Sequence, residues 1–295
     1  MSRAKVNNIE IEYDTFGDPS SKPLLLIMGL GAQMINWDEE FCKKLVERNF
    51  FVIRFDNRDI GLSTKFEEAG EPDLMKLFMA AQKGEKIEAS YTLEDMADDA
   101  VGLLDALNID RAHICGASMG GMIAQVIAYR HRSRVLSLIS IMSSTGNPDL
   151  PRPEPEAMQI LIKPLPTGRE AIIEDGVNRM RIVHGTGIPF DEGRARKLVT
   201  ASYDRSNYRP GYARQMAAIM VAGNRKSALG SITVPTLVIH GGDDPLVPLE
   251  GGRDTAEAIP GAELLIIEGM GHSLPPEVWS QVIASITKNA SKVNH

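Results

Sequence analysis

Residues Gly116-Ala117-Ser118-Met119-Gly120 set a serine between two glycines, the spacing that a sharp strand-to-helix turn demands, and the chemistry open to such a serine is nucleophilic attack. A Cβ at either flanking position would collide with the neighbouring strand or helix, so glycine is favoured there. At neutral pH a hydroxyl attacks poorly until a base removes its proton, so a histidine, and an acid to orient it, are required. The acid is sought in His240-Gly241-Gly242-Asp243-Asp244-Pro245, which follows the apolar run 236–239 and puts two carboxylates in a turn past a strand's end. The base is sought in Glu268-Gly269-Met270-Gly271-His272-Ser273, which follows the apolar run 263–267 and brackets a histidine with glycines. Ser118 as nucleophile, His272 as base and Asp243 or Asp244 as orienting acid make an acyl-transfer site, with no cofactor called for.

Such a site needs a sheet whose strand ends converge. Residues 23–28, 50–56, 112–115 and 135–142 are continuous apolar runs, which suit strands covered on both faces, and residues 6–16 alternate as an opening strand pair would. Between them lie helical stretches, clearest over 92–107, where Thr92 is an N-cap with Asp95 three residues later, and over 121–129 directly after Ser118. Strands alternating with helices imply a parallel sheet. After residue 142 the alternation stops for roughly 80 residues, longer than a connecting loop is expected to be, until Val234-Pro235-Thr236 opens the next strand. Prolines at 148, 151, 153, 155, 164 and 166 make a stiff lead into that insertion, and three helical stretches follow near 169–183, 191–203 and 211–221. The expected organisation is therefore a core of residues 1–145 and 229–295 interrupted by a helical lid at 146–228.

With 43% hydrophobic and 24% charged residues, the 295-residue chain is globular, which excludes disordered and fibrous classes. A formal net charge of −7, with no basic run interleaved with aromatics, argues against a nucleic-acid partner. The first twenty residues hold no apolar core of signal-peptide length, and nowhere do 18 apolar residues run together, so a cytoplasmic protein without a membrane partner is expected. Cys42 and Cys115 read as inert core thiols of a reducing compartment. Metal binding has no signal, since neither a Cys-x-x-Cys pair nor His-Glu-x-x-His occurs, and the dinucleotide glycine spacing is missing.

Five landmarks together make the chain resemble an α/β-hydrolase over nearly its whole length: Met28-Gly29-Leu30-Gly31, the stretch 56–63 that opens Asp56-Asn57-Arg58-Asp59, the Ser118 turn, Asp244 and His272. The resemblance is greatest to the carboxylesterase and aclacinomycin-methylesterase-like branch. It implies a mostly parallel, eight-stranded twisted sheet with helices on both faces and a helical cap, and it supplies the triad order Ser118, Asp244, His272. It also places the acid four residues past His240, favouring Asp244 over Asp243 and leaving His240 structural. From the resemblance too come two backbone N–H donors for an oxyanion, those of Leu30 and Met119. Many relatives carry His-Gly where this chain has Met28-Gly29, so the bracing of that loop is put in question, and the lack of a Gly-Gly-Gly run argues against the hormone-sensitive-lipase branch. The activity implied is hydrolysis of small to medium apolar carboxylic esters through an acyl-enzyme, the partner being a small-molecule ester and the chain a monomer or homodimer. A methylesterase, lactonase or cofactor-free perhydrolase would use the same triad, and a non-catalytic ligand receptor the same scaffold.

Other residues have plainer readings. His113, His131, His184 and His295 have neither an acid nor metal-ligand spacing around them and read as solvated or hydrogen-bonded surface groups. Asp56 and Arg58 read as a structural ion pair or turn bracing behind the site. Residues 74–81 with Met158, Met180, Met216 and Met220 have the makings of a pliable apolar wall, but methionines at helical spacing are more often core filler.

Overall fold

The computed structural model describes residues 2–164 and 166–293. The strands are β1 (Ser2–Val6), β2 (Ile9–Phe16), β3 (Lys22–Ile27), β4 (Phe50–Phe55), β5 (Ala112–Ala117), β6 (Val135–Ile141), β7 (Thr236–Gly241) and β8 (Glu263–Ile267). They form one eight-stranded sheet in the order β1-β2-β4-β3-β5-β6-β7-β8. β2 is antiparallel to both β1 and β4, and every other pairing is parallel. β4, β5 and β7 are buried at every position, which is why their sequences are mostly apolar rather than alternating, with Arg54, His113, Thr236 and His240 as the polar residues they carry inside.

The opening pair sits further forward than its alternating pattern predicts. Asn7 and Asn8 both adopt positive φ, 45° and 67°, and close a two-residue hairpin, so the first strand runs back to Ser2 instead of beginning at Val6. Strand order then reverses between β3 and β5, whose partner strands lie on opposite sides, and Ile27 pairs with Gly116 at the adjoining carboxyl ends. Such a reversal opens a crevice where an open α/β sheet binds its ligand.

The helices are α1 (Glu39–Val46), α2 (Leu74–Lys83), α3 (Leu93–Ala106), α4 (Met119–Arg130), α5 (Pro155–Ile162), α6 (Arg169–Val183), α7 (Glu192–Arg205), α8 (Arg209–Ala222), α9 (Lys226–Leu229), α10 (Leu249–Ala258) and α11 (Pro276–Ala290). Helices α3 and α4 cover one face of the sheet with Met96, Leu103, Leu104, Ile123 and Val126. On the other face α1 and α11 bring Phe41, Leu45, Trp279, Val282 and Ile286 against β3, β5 and β7. The capping box that starts α3 forms as its sequence predicts, with Thr92 and Asp95 exchanging side-chain-to-backbone hydrogen bonds. No helix among the described residues is long and apolar enough to cross a membrane.

Helices α5 to α9 lie between β6 and β7. Three of them match the expected stretches, but α5 occupies the proline-rich segment that reads from sequence as a stiff connector. Pro155 is its first residue, where a missing N–H costs a helix nothing. Buried polar contacts hold this insertion to the sheet. Arg214 of α8 grips Asp59 through two hydrogen bonds of 2.8 Å with both side chains fully buried, and Arg205 of α7 reaches Asp56 at 2.7 Å. Asp56 and Arg58 are thus braces, as expected, though not with each other: Arg58 pairs with Asp99 at 2.6 Å.

Two histidines depart from the surface role expected of them. His113 is buried on β5, hydrogen-bonded to Ser137 at 2.8 Å and edge-on to the Phe50 ring, because an apolar strand carries it into the interior. His184 is buried at the end of α6, against the Phe190 ring and within 3.1 Å of Ser273. His131, partly buried, pairs with Asp98 at 2.7 Å, and His295 lies outside the described residues. Cys42 and Cys115 are both free and buried, and burial pushes the Cys42 thiol up to about 12.

Candidate active site

Ser118 stands between the last residue of β5 and the first of α4, with φ +56° and ψ −121°. A serine takes such a backbone only where its surroundings force it. Here they do. A Cβ on Gly116 would stand 1.9 Å from the Gly120 carbonyl oxygen, and one on Gly120 2.1 Å from that of Ile27, so strand and helix meet backbone to backbone. The Ser118 N–H still bonds Ile141 O at 2.9 Å, which carries β6 pairing through the turn.

The Asp243-Asp244 pair is resolved by its partners. Asp244 Oδ2 lies 2.7 Å from His272 Nδ1, while its Oδ1 accepts the N–H groups of Leu246 and Val247, both at 2.9 Å. Asp243 turns away and takes a short hydrogen bond from Thr186 of the insertion. The carboxylate only accepts, so His272 Nδ1 carries a proton toward Asp244 and Nε2 is the nitrogen turned to the rest of the site. The His272 loop is itself tied to the insertion. His272 N donates to Val183 O at 2.6 Å, Gly271 N to His184 O at 2.9 Å, and Gly187 N to Gly269 O at 3.1 Å. These two glycine-rich segments approach so closely that a Cβ on Gly271 would stand 2.4 Å from Gly185 N.

Across the crevice, the loop after β3 presses on the serine: a Cβ on Gly29 would stand 3.1 Å from Ser118 Cβ. The missing His-Gly brace has replacements that the sequence did not announce. Asn57 Nδ2 donates to Met28 O at 3.0 Å, Gly31 N donates to Gln215 Oε1 at 2.9 Å, and Asp56 Oδ1 holds Met34 N at 2.8 Å. Asn57 lies in a landmark stretch and was within reach of sequence reasoning. Gln215, 184 positions from Gly31, carries no local signal. Met119, first residue of α4, has one of the N–H groups that a helix start leaves without an intrahelical acceptor.

Ser118, His272, Leu30 and Met119 all line one cavity of about 510 Å³, a size usual for small-molecule sites. Its walls are largely apolar, with Met142, Met180, Met216 and Phe190 among them, and the insertion supplies one side. Met180 and Met216 are therefore wall as well as packing, whereas Met158, Met220 and the whole of α2 are not part of the lining. Near α1 and α11 the cavity meets Arg194 of α7, which pairs with Asp38 at 2.5 Å and lies over the Trp279 ring. Among the described residues no group of three or more histidine, cysteine or carboxylate side chains is arranged to hold a metal ion.

Residues 22–277 match the family model described as alpha/beta hydrolase fold. The chain is 32% identical to rhodomycin D methylesterase DauP of Streptomyces sp. (strain C5), over 95% of this chain and 94% of that one. It is also 32% identical to rhodomycin D methylesterase DnrP of Streptomyces peucetius, over 97% of each. Among solved structures, the enol-lactonase from Burkholderia xenovorans LB400 superposes with a TM-score of 0.69 at 23% identity, covering 99% of this chain and 100% of that one.

Proposed function

From the premise that the chain belongs to the α/β-hydrolase fold family, we propose that it is a carboxylic ester hydrolase in which Ser118 is the nucleophile, His272 the base and Asp244 the orienting acid. The 2.7 Å contact with Asp244 of His272, which lines the same cavity as Ser118, carries this reading. Ser118 Oγ attacks the ester carbonyl carbon and its proton passes to His272 Nε2. The N–H groups of Leu30 and Met119 receive the oxyanion, each contributing roughly 3–4 kcal/mol when preorganised. Collapse breaks the ester C–O bond, His272 returns the proton to the leaving alcohol, and water, deprotonated by the same ring, releases the acid and restores Ser118.

Residues 146–228 act as a cap whose apolar wall receives the substrate. The two methylesterase relatives and the largely apolar cavity favour small to medium apolar esters with a small alcohol, methyl esters included. The two free buried thiols fit reaction in a reducing compartment, the cytoplasm.

The test is hydrolysis of p-nitrophenyl esters from acetyl to long acyl chains, alongside methyl esters of apolar acids, with Ser118→Ala in parallel. Rates in the variant should fall by about four orders of magnitude or more with the fold intact. Turnover surviving in a clean preparation of Ser118→Ala overturns the assignment.

A further inference from the structure

His240, the penultimate residue of β7, is fully buried behind the acid turn. Its Nε2 lies 2.7 Å from Val247 O and 3.6 Å from Asp244 Oδ2. A carbonyl can only accept, so Nε2 carries the ring proton and Nδ1 is left bare. Nδ1 is buried without a partner, packed against Gly252, where a Cβ would stand 2.5 Å from it. A second proton would have no acceptor there, and burial lowers the ring's pKa, so His240 is a neutral donor. The charged or titratable groups that face it are Asp244, His272 and Glu250. Val247 is consequently gripped twice: Asp244 Oδ1 takes its N–H, and His240 Nε2–H holds its carbonyl.

We propose that His240 is a positioning residue for the hydrolysis, its Nε2–H pinning the turn 244–247 so that Asp244 Oδ2 stays in line with His272 Nδ1. The proposal rests on the triad reading above. A side chain that merely fills space could be replaced by any of similar volume, whereas a positioning donor must keep an N–H at the Nε2 position.

The experiment compares His240→Leu, of similar bulk without a donor, with His240→Gln, whose amide N–H reaches the same place. For both, kcat and KM are followed against pH on p-nitrophenyl butyrate, with thermal melts and fluorophosphonate titration of the active serine. Leucine should lower kcat by about tenfold to a hundredfold, well short of removing a triad member, with KM nearly unchanged. As Asp244 drifts from Nδ1 the imidazolium loses support, so the acid limb of kcat/KM should move to lower pH. Glutamine should recover most of the rate and restore the limb. Equal behaviour of the two variants, or a leucine variant whose only change is a lower melting point, overturns the proposal. If His240→Leu does not fold, His240→Asn, whose N–H falls at the wrong reach, takes its place with the same outcomes. Activity in Ser118→Ala would instead remove the triad reading, while an inactive Ser118→Ala beside His240 variants with the wild-type limb removes the His240 role alone.

Discussion

The two halves of the site are built by different means. The serine side is made of what lies next to it: β5, α4, the end of β3 and the end of β6, fitted so closely that glycine backbone touches carbonyl oxygen. The His272 loop instead takes much of its shape from the insertion, through Val183, His184 and Gly187, while the Asp244 turn is held by its own Leu246 and Val247 N–H groups and by His240 of β7. The loop that carries Leu30 lies between these cases, braced by Asn57 from the core and by Gln215 from the insertion. The geometry around Ser118 is thus a property of the sheet, and that around His272 a property of the contact between sheet and insertion.

Breaking the serine side should cost the most. In Gly120→Ala the new methyl group meets Ile27 O at 2.1 Å and Met28 O at 2.9 Å, both backbone atoms, so the variant should lose more than about 4 kcal/mol or fail to fold, as urea denaturation would register. A wild-type midpoint would mean that strand and helix can part without penalty and that the contrast is wrong.

Breaking the cap side should cost less stability while still reaching the chemistry. Arg214→Met leaves the Asp59 carboxylate buried and uncompensated, a loss of about 3–5 kcal/mol, and the double variant with Asp59→Asn should recover part of it. Because Gln215 follows Arg214 on α8 and holds Gly31, kcat on a short ester should also fall. Full activity at reduced stability would mean that the Leu30 loop does not depend on the insertion.

The smallest effect sharpens the comparison by pH. Burial pushes His113, on the strand that leads to Ser118, from the ordinary 6.5 down to about 4. Between those values the unfolded chain binds a proton that the folded one refuses. This contribution is therefore complete above about pH 6.5 and is lost as pH falls toward 4, by about 3 kcal/mol in all. In His113→Asn, which keeps a donor for Ser137, chemical denaturation at pH 7 and near pH 4 should show that much less acid sensitivity. An unchanged acid sensitivity would place the labile group elsewhere.

This division also decides what was legible in the sequence. The serine turn is written in five consecutive residues because its constraints are local and steric, and the strands around it are written as apolar runs because both their faces are buried. His272 and Asp244 were legible as residues at strand ends, yet the choice of Asp244 over Asp243 needed the resemblance, since both carboxylates sit in one turn and only the position of Thr186 and His272 separates them. Gln215 and the glycines at 185 and 187 were not legible, because what they do depends on which loop the fold sets opposite them. His113 and His184 were misplaced at the surface for a related reason: a polar ring can be buried once Ser137 or Ser273 stands within reach, and no pattern in the sequence records that neighbour.

The close approach of residues 185–187 to 269–271 limits how this enzyme can be re-engineered or can diverge. A cap grafted from another hydrolase, chosen for the pocket it offers, would also bring its own side chains into a seam with no room for a Cβ, and would withdraw the carbonyl groups on which the His272 loop hangs. The walls of the cavity and the placement of the His272 loop are inherited together, so an exchange of the insertion has to carry that loop with it as one unit.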